Sequence, residues 1–160
     1  MRRTPLVAAV GAVLSLLVIA STAWAKPPPN NSFNKPTVIS SLPFTTTQDP
    51  SGATLQHNEP QSSCNGMADT VWYRFTTPPT NVAIIADTFG SNFDTVLAVW
   101  TRSGKEFTEQ ACNDNFGTVN TSALSFLETG GTTYYFQIGV CCSPQAALPA
   151  NPTLDFDLHF

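Results

Sequence analysis

One short stretch concentrates side chains that could bind a cation or take part in catalysis. The sequence ACNDNFGT, residues 111–118, holds Cys112, Asp114 and two asparagines within a few positions. A calcium loop of the EF-hand type needs acidic or amide residues at alternate positions, then a glycine, and a glutamate in the twelfth place. No frame of this stretch fits, because the twelfth residue counted from Asn113 is Leu124. The stretch is not a calcium loop of that type.

A structural turn accounts for the same residues. Asparagine and aspartate side chains bond to their own backbone, and Gly117 can supply a positive φ angle. We therefore expect a turn held in place by Cys112. The alternative is a cation site formed by Asp114 and Asp94, because a carboxylate at the start of an apolar strand must find a partner if it is buried.

The sequence contains no motif of a known catalytic site. The G-x-S-x-G turn of serine hydrolases and the H-E-x-x-H motif of metalloproteases are both absent. Neither His57 nor His159 is accompanied by a nucleophile motif. Asp155 and Asp157 share one face of the last predicted strand, where two exposed acids are ordinary protection of a sheet edge. We predict that the chain is not an enzyme and has no catalytic residues.

Four cysteines indicate two disulfides in an exported protein. They are Cys64, Cys112, Cys141 and Cys142, and three pairings are possible in principle. A direct link between Cys141 and Cys142 would close a strained ring, and adjacent strand residues point to opposite faces. We therefore expect each of these two to bond to a distant partner, Cys64 or Cys112. A zinc site is not favoured, because the sequence has no CxxC pair and no nearby histidine.

The amino-terminal residues 1–25 have the pattern of a signal peptide. Arg2 and Arg3 precede an apolar run, and Ala23 and Ala25 form the small-x-small pattern that a signal peptidase accepts. The run is shorter than the roughly 20 residues of a membrane span. Cleavage would leave residues 26–160, a single domain in length, in a secreted or periplasmic protein with no membrane attachment. The alternative is an uncleaved anchor.

The charge balance argues against nucleic acid as a partner. The chain has seven basic residues and 11 acidic ones, and removal of Arg2 and Arg3 with the leader leaves a net charge of −6. Such a chain repels phosphate backbones, and no basic cluster is present in the sequence. We predict that it binds neither nucleic acid nor anionic lipid.

Period-two alternation of apolar residues predicts an all-β fold. In residues 69–77, Val71, Tyr73 and Phe75 face one way and Trp72 the other. About eight such segments, separated by turns, indicate an antiparallel β-sandwich of two sheets. Residues 26–35 are a stiff, extended lead-in, and residues 36–160 form the domain. The predicted inward set is Phe75, Ile84, Leu97, Phe136 and Phe156.

Some strand assignments are more specific. Residues 37–44 open the sandwich, and residues 52–56 form a second short strand. Residues 123–128 meet residues 132–140 across the turn 129–131. Each strand carries an apolar face that only a second sheet can cover.

Aromatic residues suggest a binding surface. Because Trp72 alternates with core residues, its ring faces outward or against a loop, and Trp100, Tyr135 and Phe116 could join it. Flat exposed rings on a β-sandwich suit sugar rings or peptide backbones. The alternative is that these rings cover sheet edges or pack under loops.

The order of the segments resembles the bacterial pre-peptidase C-terminal domain family over nearly the whole mature chain. The most specific pieces are ADTVWYRF, FGSNFDTVLAVW and GGTTYYFQIG. The resemblance implies a secreted, jelly-roll-like β-sandwich that is non-catalytic, of a kind usually appended to peptidases and other exported enzymes. Some members of the family bind collagen or polysaccharide, and some bind calcium.

The resemblance also implies a calcium site, but only in part. Relatives that bind calcium use an acidic lead-in and an aspartate at the start of the ADT strand. Asp69 matches that aspartate and Asn31 aligns with the last acid of the lead-in, whereas Pro28 and Pro29 stand where acids would lie. Calcium prefers about six to eight oxygens, so we expect a weak site at most.

Two classes of function follow. The first is a secreted binding module for polysaccharide, glycan or extracellular matrix protein. The second is a structural or accessory protein of the cell surface or secretions that stabilises a partner and has no small-molecule ligand. Exposure of Trp72 and Trp100 side by side would favour the first class, and burial of both would favour the second.

Overall fold

The chain folds as an all-β domain. A computed structural model describes residues 25–142 and 147–160, so that of the predicted leader only Ala25 is described. The strands in these residues are β1 (Thr37–Ile39), β2 (Phe44–Gln48), β3 (Met67–Thr76), β4 (Ala83–Asp87), β5 (Thr95–Ser103), β6 (Glu106–Asn113), β7 (Ala123–Leu127), β8 (Thr133–Cys141) and β9 (Leu154–His159). The described residues include no helix that is long and apolar enough to cross a membrane.

The strands form two stacked sheets. Sheet A has five strands in the order β1-β3-β8-β5-β6, and sheet B has four in the order β2-β9-β4-β7. All neighbouring strands are antiparallel except β1 and β3, which are parallel. The predicted antiparallel two-sheet sandwich is confirmed, with nine strands where about eight were expected.

Alternate residues of both sheets form the core between them. Val71, Tyr73 and Phe75 point inward from β3, as their spacing predicts. The predicted inward residues all belong to this core: Phe75, Ile84, Leu97, Phe136 and Phe156. Burial of each large apolar side chain contributes about 1.5–3 kcal/mol, which makes this layer the main source of stability.

Sheet A is also buried on its outer face. Phe33 of the lead-in and Phe107 of β6 pack on Trp72, with ring centroids 5.8 Å and 5.7 Å from its own. A second apolar cluster lies there, formed by Phe33, Met67, Trp72, Val96, Ala98, Trp100 and Cys141. As a result, six consecutive residues of β5 are buried, where a strand with one free face would alternate.

Two short segments differ from the prediction. The lead-in is not extended, because the amide of Asn31 bonds to the Pro28 carbonyl (3.1 Å) and the amide of Lys35 to that of Ser32 (2.8 Å). These two turns place Phe33 against sheet A. Residues 52–56 form no strand, and the segment continues as a loop to residue 66.

Two predicted pairings are also wrong. Residues 37–44 divide between the sheets, since β1 pairs with β3 and β2 with β9. β7 and β8 do not form a hairpin, because β7 pairs with β4 in sheet B and β8 lies in sheet A. The apolar faces of β7 and β8 meet across the core instead, where Phe126 packs on Tyr134 with a centroid distance of 5.1 Å.

Candidate functional site

The stretch that opened the sequence analysis is a turn beside the end of β6. Asn113 Nδ2 donates to the carbonyl of Asn115 (3.1 Å), and the Phe116 amide donates to the carbonyl of Thr121 (3.0 Å). Gly117 has a φ angle of 65°, which residues with a Cβ atom rarely adopt. The turn therefore holds Phe116 in a fixed position at the surface.

All four cysteines are in disulfides, but the predicted pairing is wrong. Cys64 bonds to Cys112, and Cys141 bonds to its neighbour Cys142. The argument from opposite strand faces fails because β8 ends at Cys141, and Cys142 has a left-handed backbone with a φ angle of 71°. Strand alternation does not govern a residue with that backbone.

The structure brings together two of the predicted cation ligands, Asp94 and Asp114. Burial raises the pKa of Asp94, and the charge of Asp114 raises it further. Among the described residues, the Oδ1 atom of each has no hydrogen-bond partner although it is buried. Asp114 Oδ2 accepts a bond from Asn65 Nδ2 (3.3 Å). Two carboxylates fit a cation, but they are far from the full set of about six to eight oxygens that calcium prefers.

The other two predicted ligands, Asn31 and Asp69, do not fit the calcium site that the family resemblance implies. Asn31 Oδ1 accepts the amide of Thr54 (2.7 Å), so its oxygen is already engaged. Asp69 lies at a β-bulge in β3 with a φ angle of 48°, and burial raises the pKa of its carboxyl. One carboxylate and an engaged amide make a poor site for a divalent cation.

Both predicted tryptophans of the aromatic surface are buried. Trp72 is 0% exposed and Trp100 is 3% exposed, because both lie in the cluster that covers sheet A. Tyr135 is half-buried and contacts the Phe107 ring at 5.8 Å. Only Phe116 of the four is exposed. The predicted tryptophan platform for sugar rings is therefore wrong.

A buried polar network lies beneath the same cover. Glu59 Oε2 accepts bonds from Thr70 Oγ1 (2.6 Å) and Gln137 Nε2 (3.1 Å), and Oε1 accepts the Gln56 amide (3.0 Å). Trp100 Nε1 in turn donates to Gln137 Oε1 (3.1 Å). Burial is the largest influence on Glu59 and raises its pKa, although its hydrogen bonds lower it. The network fixes the loop of residues 49–66 on sheet A. Its sequence signal was a glutamine inside an apolar strand.

The outer face of sheet B is more open: Ile85 and Leu127 are exposed, although Phe89 and Phe116 reach the part around Asp87. Its acidic part consists of Asp155 and Asp157 on β9 and Asp87 on β4, where Asp87 and Asp157 are direct cross-strand neighbours. β9 was expected at a sheet edge but lies between β2 and β4. The lysines and arginines of the described residues all lie in the lead-in, in sheet A or in its β5–β6 turn: Lys26, Lys35, Arg74, Arg102 and Lys105.

The same face carries exposed apolar side chains that the sequence analysis missed. Ile85 points outward from β4, and Leu127, at the end of β7, is 84% exposed. Phe89 and Phe116 contact each other nearby, with ring centroids 5.5 Å apart. A usable signal was present, because Ile84 and Ile85 are adjacent and only one of them can face the core. We call these residues, with Asp87, the sheet B surface.

Comparisons with known proteins concern the fold. The chain matches no protein-family model and no curated protein. Similar solved structures include the pre-peptidase C-terminal domain of collagenase from Bacillus anthracis, with 14% identity, a TM-score of 0.46, and coverage of 76% of this chain and 92% of that one.

Two further structures have comparable scores. PliG of Aeromonas hydrophila, a periplasmic inhibitor of g-type lysozyme, has 11% identity, a TM-score of 0.44, and coverage of 76% and 90%. CorA of Methylomicrobium album BG8, a surface-associated copper-binding protein, has 12% identity, a TM-score of 0.45, and coverage of 78% and 96%. The solved structures similar to this chain thus include a domain of the family that its sequence resembles.

Proposed function

We propose that this chain is an exported, non-catalytic accessory protein that binds another protein through the sheet B surface. The observation that carries the proposal is the difference between the two outer faces. Sheet A is covered by the lead-in and by the loop of residues 49–66, whereas sheet B exposes Ile85, Phe89, Phe116 and Leu127. Contiguous exposed apolar side chains rimmed by polar ones are typical of protein interaction sites.

The composition of this surface favours a protein over a polysaccharide. Sugar-binding faces rely on flat exposed aromatic rings, and the burial of Trp72 and Trp100 removes the two largest candidates. What is exposed instead is a mixture of aliphatic side chains and two phenylalanines, beside the half-buried Asp155 and Asp157. Apolar centres with a polar rim are the usual composition of protein–protein interfaces.

Two further features support an exported protein without catalysis. Disulfides persist in oxidising compartments, which agrees with the predicted leader at residues 1–25. The four cysteines are oxidised and are therefore not thiolate nucleophiles. His159 lies on the outer face of sheet B beside Asp157, without a serine or cysteine nucleophile in a recognised motif.

Site-specific photo-crosslinking tests the proposal. We would replace Leu127 with p-benzoylphenylalanine, irradiate the exported protein in the culture that produces it, and identify adducts by mass spectrometry. Val38 is the matched control, because it is an apolar strand residue that is 60% exposed but belongs to sheet A. We expect one protein adduct from Leu127 and none from Val38.

Two outcomes would contradict the proposal. Equal crosslinking from Leu127 and Val38 would show that proteins contact the surface non-specifically and do not bind to sheet B in particular. Specific binding on a glycan array, together with no protein adduct from Leu127, would favour the carbohydrate-binding alternative.

A further inference from the structure

A groove on the sheet B surface has the composition of a site for an organic cation. It encloses about 420 Å³ and is lined by Ile85, Asp87, Phe89, Phe116 and Ser125, among others. One wall is aromatic, one is aliphatic, and a single carboxylate lies among them. Neither the sequence motifs nor the buried network of sheet A accounts for this arrangement.

The aromatic wall is held in place by the backbone. Phe89 lies two residues after the end of β4, and its amide donates to Asp87 Oδ1 (3.1 Å). Phe116 is fixed by its bond to Thr121 and by the bond from the Val119 amide to the Phe116 carbonyl (3.3 Å). The rings are nonetheless 42% and 54% exposed. Large aromatic side chains that are fixed but exposed are suited to a partner that covers them.

Asp87 is the polar group of the groove. It is only 6% exposed, and burial raises the pKa of its carboxyl. Asp157 raises that pKa further, whereas His159 lowers it. Within the described part of the chain, no lysine or arginine lies on sheet B to pair with this carboxylate. On the described strands of sheet B the basic side chain near this buried carboxylate is His159 alone, so a cation brought by a ligand would add to its stabilisation.

The protein itself shows the same chemistry on sheet A. The guanidinium carbon of Arg102 lies 5.0 Å from the centre of the Phe33 ring and 5.1 Å from that of the Phe107 ring. Both distances are within the range of cation–π attraction, which is about 6 Å. The Phe89–Phe116 pair, with a centroid separation of 5.5 Å, is a comparable aromatic pair without a cation from the described chain.

We propose that this groove binds the cationic side chain of a lysine or arginine on the partner protein. The aliphatic stem packs on Ile85 and on the Phe89 and Phe116 rings, and the charged group lies against the Asp87 carboxylate. Arginine is among the residues that contribute most to interface affinity. This inference rests on the proposed function and specifies what the partner must present.

Titration of the isotopically labelled protein with small amides tests the groove directly. The probes are Nα-acetylarginine amide and Nα-acetyllysine amide, with Nα-acetylcitrulline amide as the neutral control of nearly the same shape as arginine. Amide shifts are followed by NMR. Ligands of this size bind weakly, so dissociation constants in the millimolar range are expected. We expect shifts from at least one cationic probe, concentrated at residues 85–89 and 116–125, and at least fivefold weaker binding of citrulline.

Three variants locate the interaction. Asp87→Asn should weaken binding of the cationic probe at least fivefold and leave citrulline binding unchanged. Phe116→Ala should weaken binding of all three probes, and it leaves both apolar clusters intact because Phe116 is exposed and belongs to neither. Val38→Ala, an exposed change on sheet A, should have no effect. Equal binding of citrulline and arginine, or shifts confined to sheet A, would overturn the inference.

The two proposals can fail separately. A protein adduct at Leu127 combined with no response to either cationic probe would refute the cation groove and leave the protein-binding function standing. Binding of a cationic probe at Asp87 without any adduct would refute the protein partner instead.

Discussion

Asp94 and Asp114 repel each other at the end of the sandwich where β5 begins and β6 ends, and each has one buried oxygen without a hydrogen-bond partner in the described chain. Like charges placed together and partly removed from water lower the stability of the folded state. A cation bound between the two carboxylates would offset this repulsion.

Replacing Asp94 with asparagine should stabilise the protein. The amide removes the repulsion and can donate a hydrogen bond to Asp114. Because the pKa of Asp94 is raised in the folded protein, its carboxylate does not destabilise the fold below pH 3.8, the ordinary pKa. The destabilisation develops as the pH rises through the pKa of the folded state. We expect a gain of about 0.5 kcal/mol in the free energy of unfolding at neutral pH, which disappears toward pH 3. Urea unfolding at several pH values measures it.

The control for this variant is Asp49→Asn. Hydrogen bonds from Ser51 lower the pKa of Asp49, so its charge favours folding and its removal should have the opposite sign. A loss of stability in Asp94→Asn at neutral pH, in a buffer with a metal chelator, would contradict the repulsion argument.

Calcium should raise the melting temperature only slightly. The Asp94–Asp114 pair offers two carboxylates, and the Asn31 oxygen is engaged by Thr54. We expect a shift below about 10 °C in excess calcium, lost in Asp94→Asn and kept in Asp69→Asn. Differential scanning fluorimetry with calcium and with a chelator measures it. A larger shift would contradict the expectation of a weak site, and a shift that depends on Asp69 would favour the site at the start of β3 that the family resemblance implies.

The two disulfides should differ in their effect on stability. The Cys64–Cys112 bond joins residues 48 apart, and the chain-entropy account of disulfides predicts a loss of about 2–4 kcal/mol when both are changed to alanine. The Cys141–Cys142 bond closes no loop of chain, so its double alanine variant should lose less. Intact mass should show four hydrogens fewer than in the reduced chain. Equal losses in the two variants would contradict this account.

Glu59→Gln should destabilise the cover of sheet A. Its Oε2 accepts two hydrogen bonds, from Thr70 and Gln137, and an amide nitrogen in that place leaves the Gln137 donor without an acceptor. We expect a loss of about 1–3 kcal/mol. The exposed Glu106→Gln serves as the control and should change little.

The pH dependence of this loss provides a second test. The pKa of Glu59 is raised above its ordinary value of 4.5. The group therefore adds to the stability of the folded wild type below pH 4.5, and this addition is lost as the pH rises through the pKa of the folded state. In the glutamine variant this change of stability with pH is absent, because glutamine does not titrate. The difference between the two proteins should therefore be larger near pH 4 than near pH 7, and a constant difference would argue against a shifted carboxyl.

Local alternation was enough to predict the sandwich and its inward residues, because each strand such as β3 must bury one face. It could not predict that the other face of Trp72 is buried as well. The cover comes from Phe33 and Phe107, which are remote from Trp72 in the sequence. The wrong β7–β8 hairpin has the same cause. The apolar pattern of a strand shows that one face is buried, but it does not show whether the next strand in sequence lies beside it in the same sheet or opposite it in the other sheet.

The candidate site was predicted less completely than the fold. Asp94 and Asp114 were placed together on chemical grounds, and the structure brings them near each other. The sheet B surface was missed, although Ile84 and Ile85 together require one isoleucine to face outward. The partnership of Phe89 and Phe116 could not be read locally, because it depends on how the turn after β6 approaches the end of β4.

The Cys64–Cys112 link has a consequence for where the chain can mature. It joins the loop of residues 49–66, whose Glu59 bonds to Gln137 of sheet A, to β6, and Cys112 packs against the cluster that contains Trp72 and Trp100. In a reducing cytosol this disulfide would be absent, and the apolar outer face of sheet A would be more prone to self-association. We therefore expect the solubility of the protein to depend on oxidation of this cysteine pair.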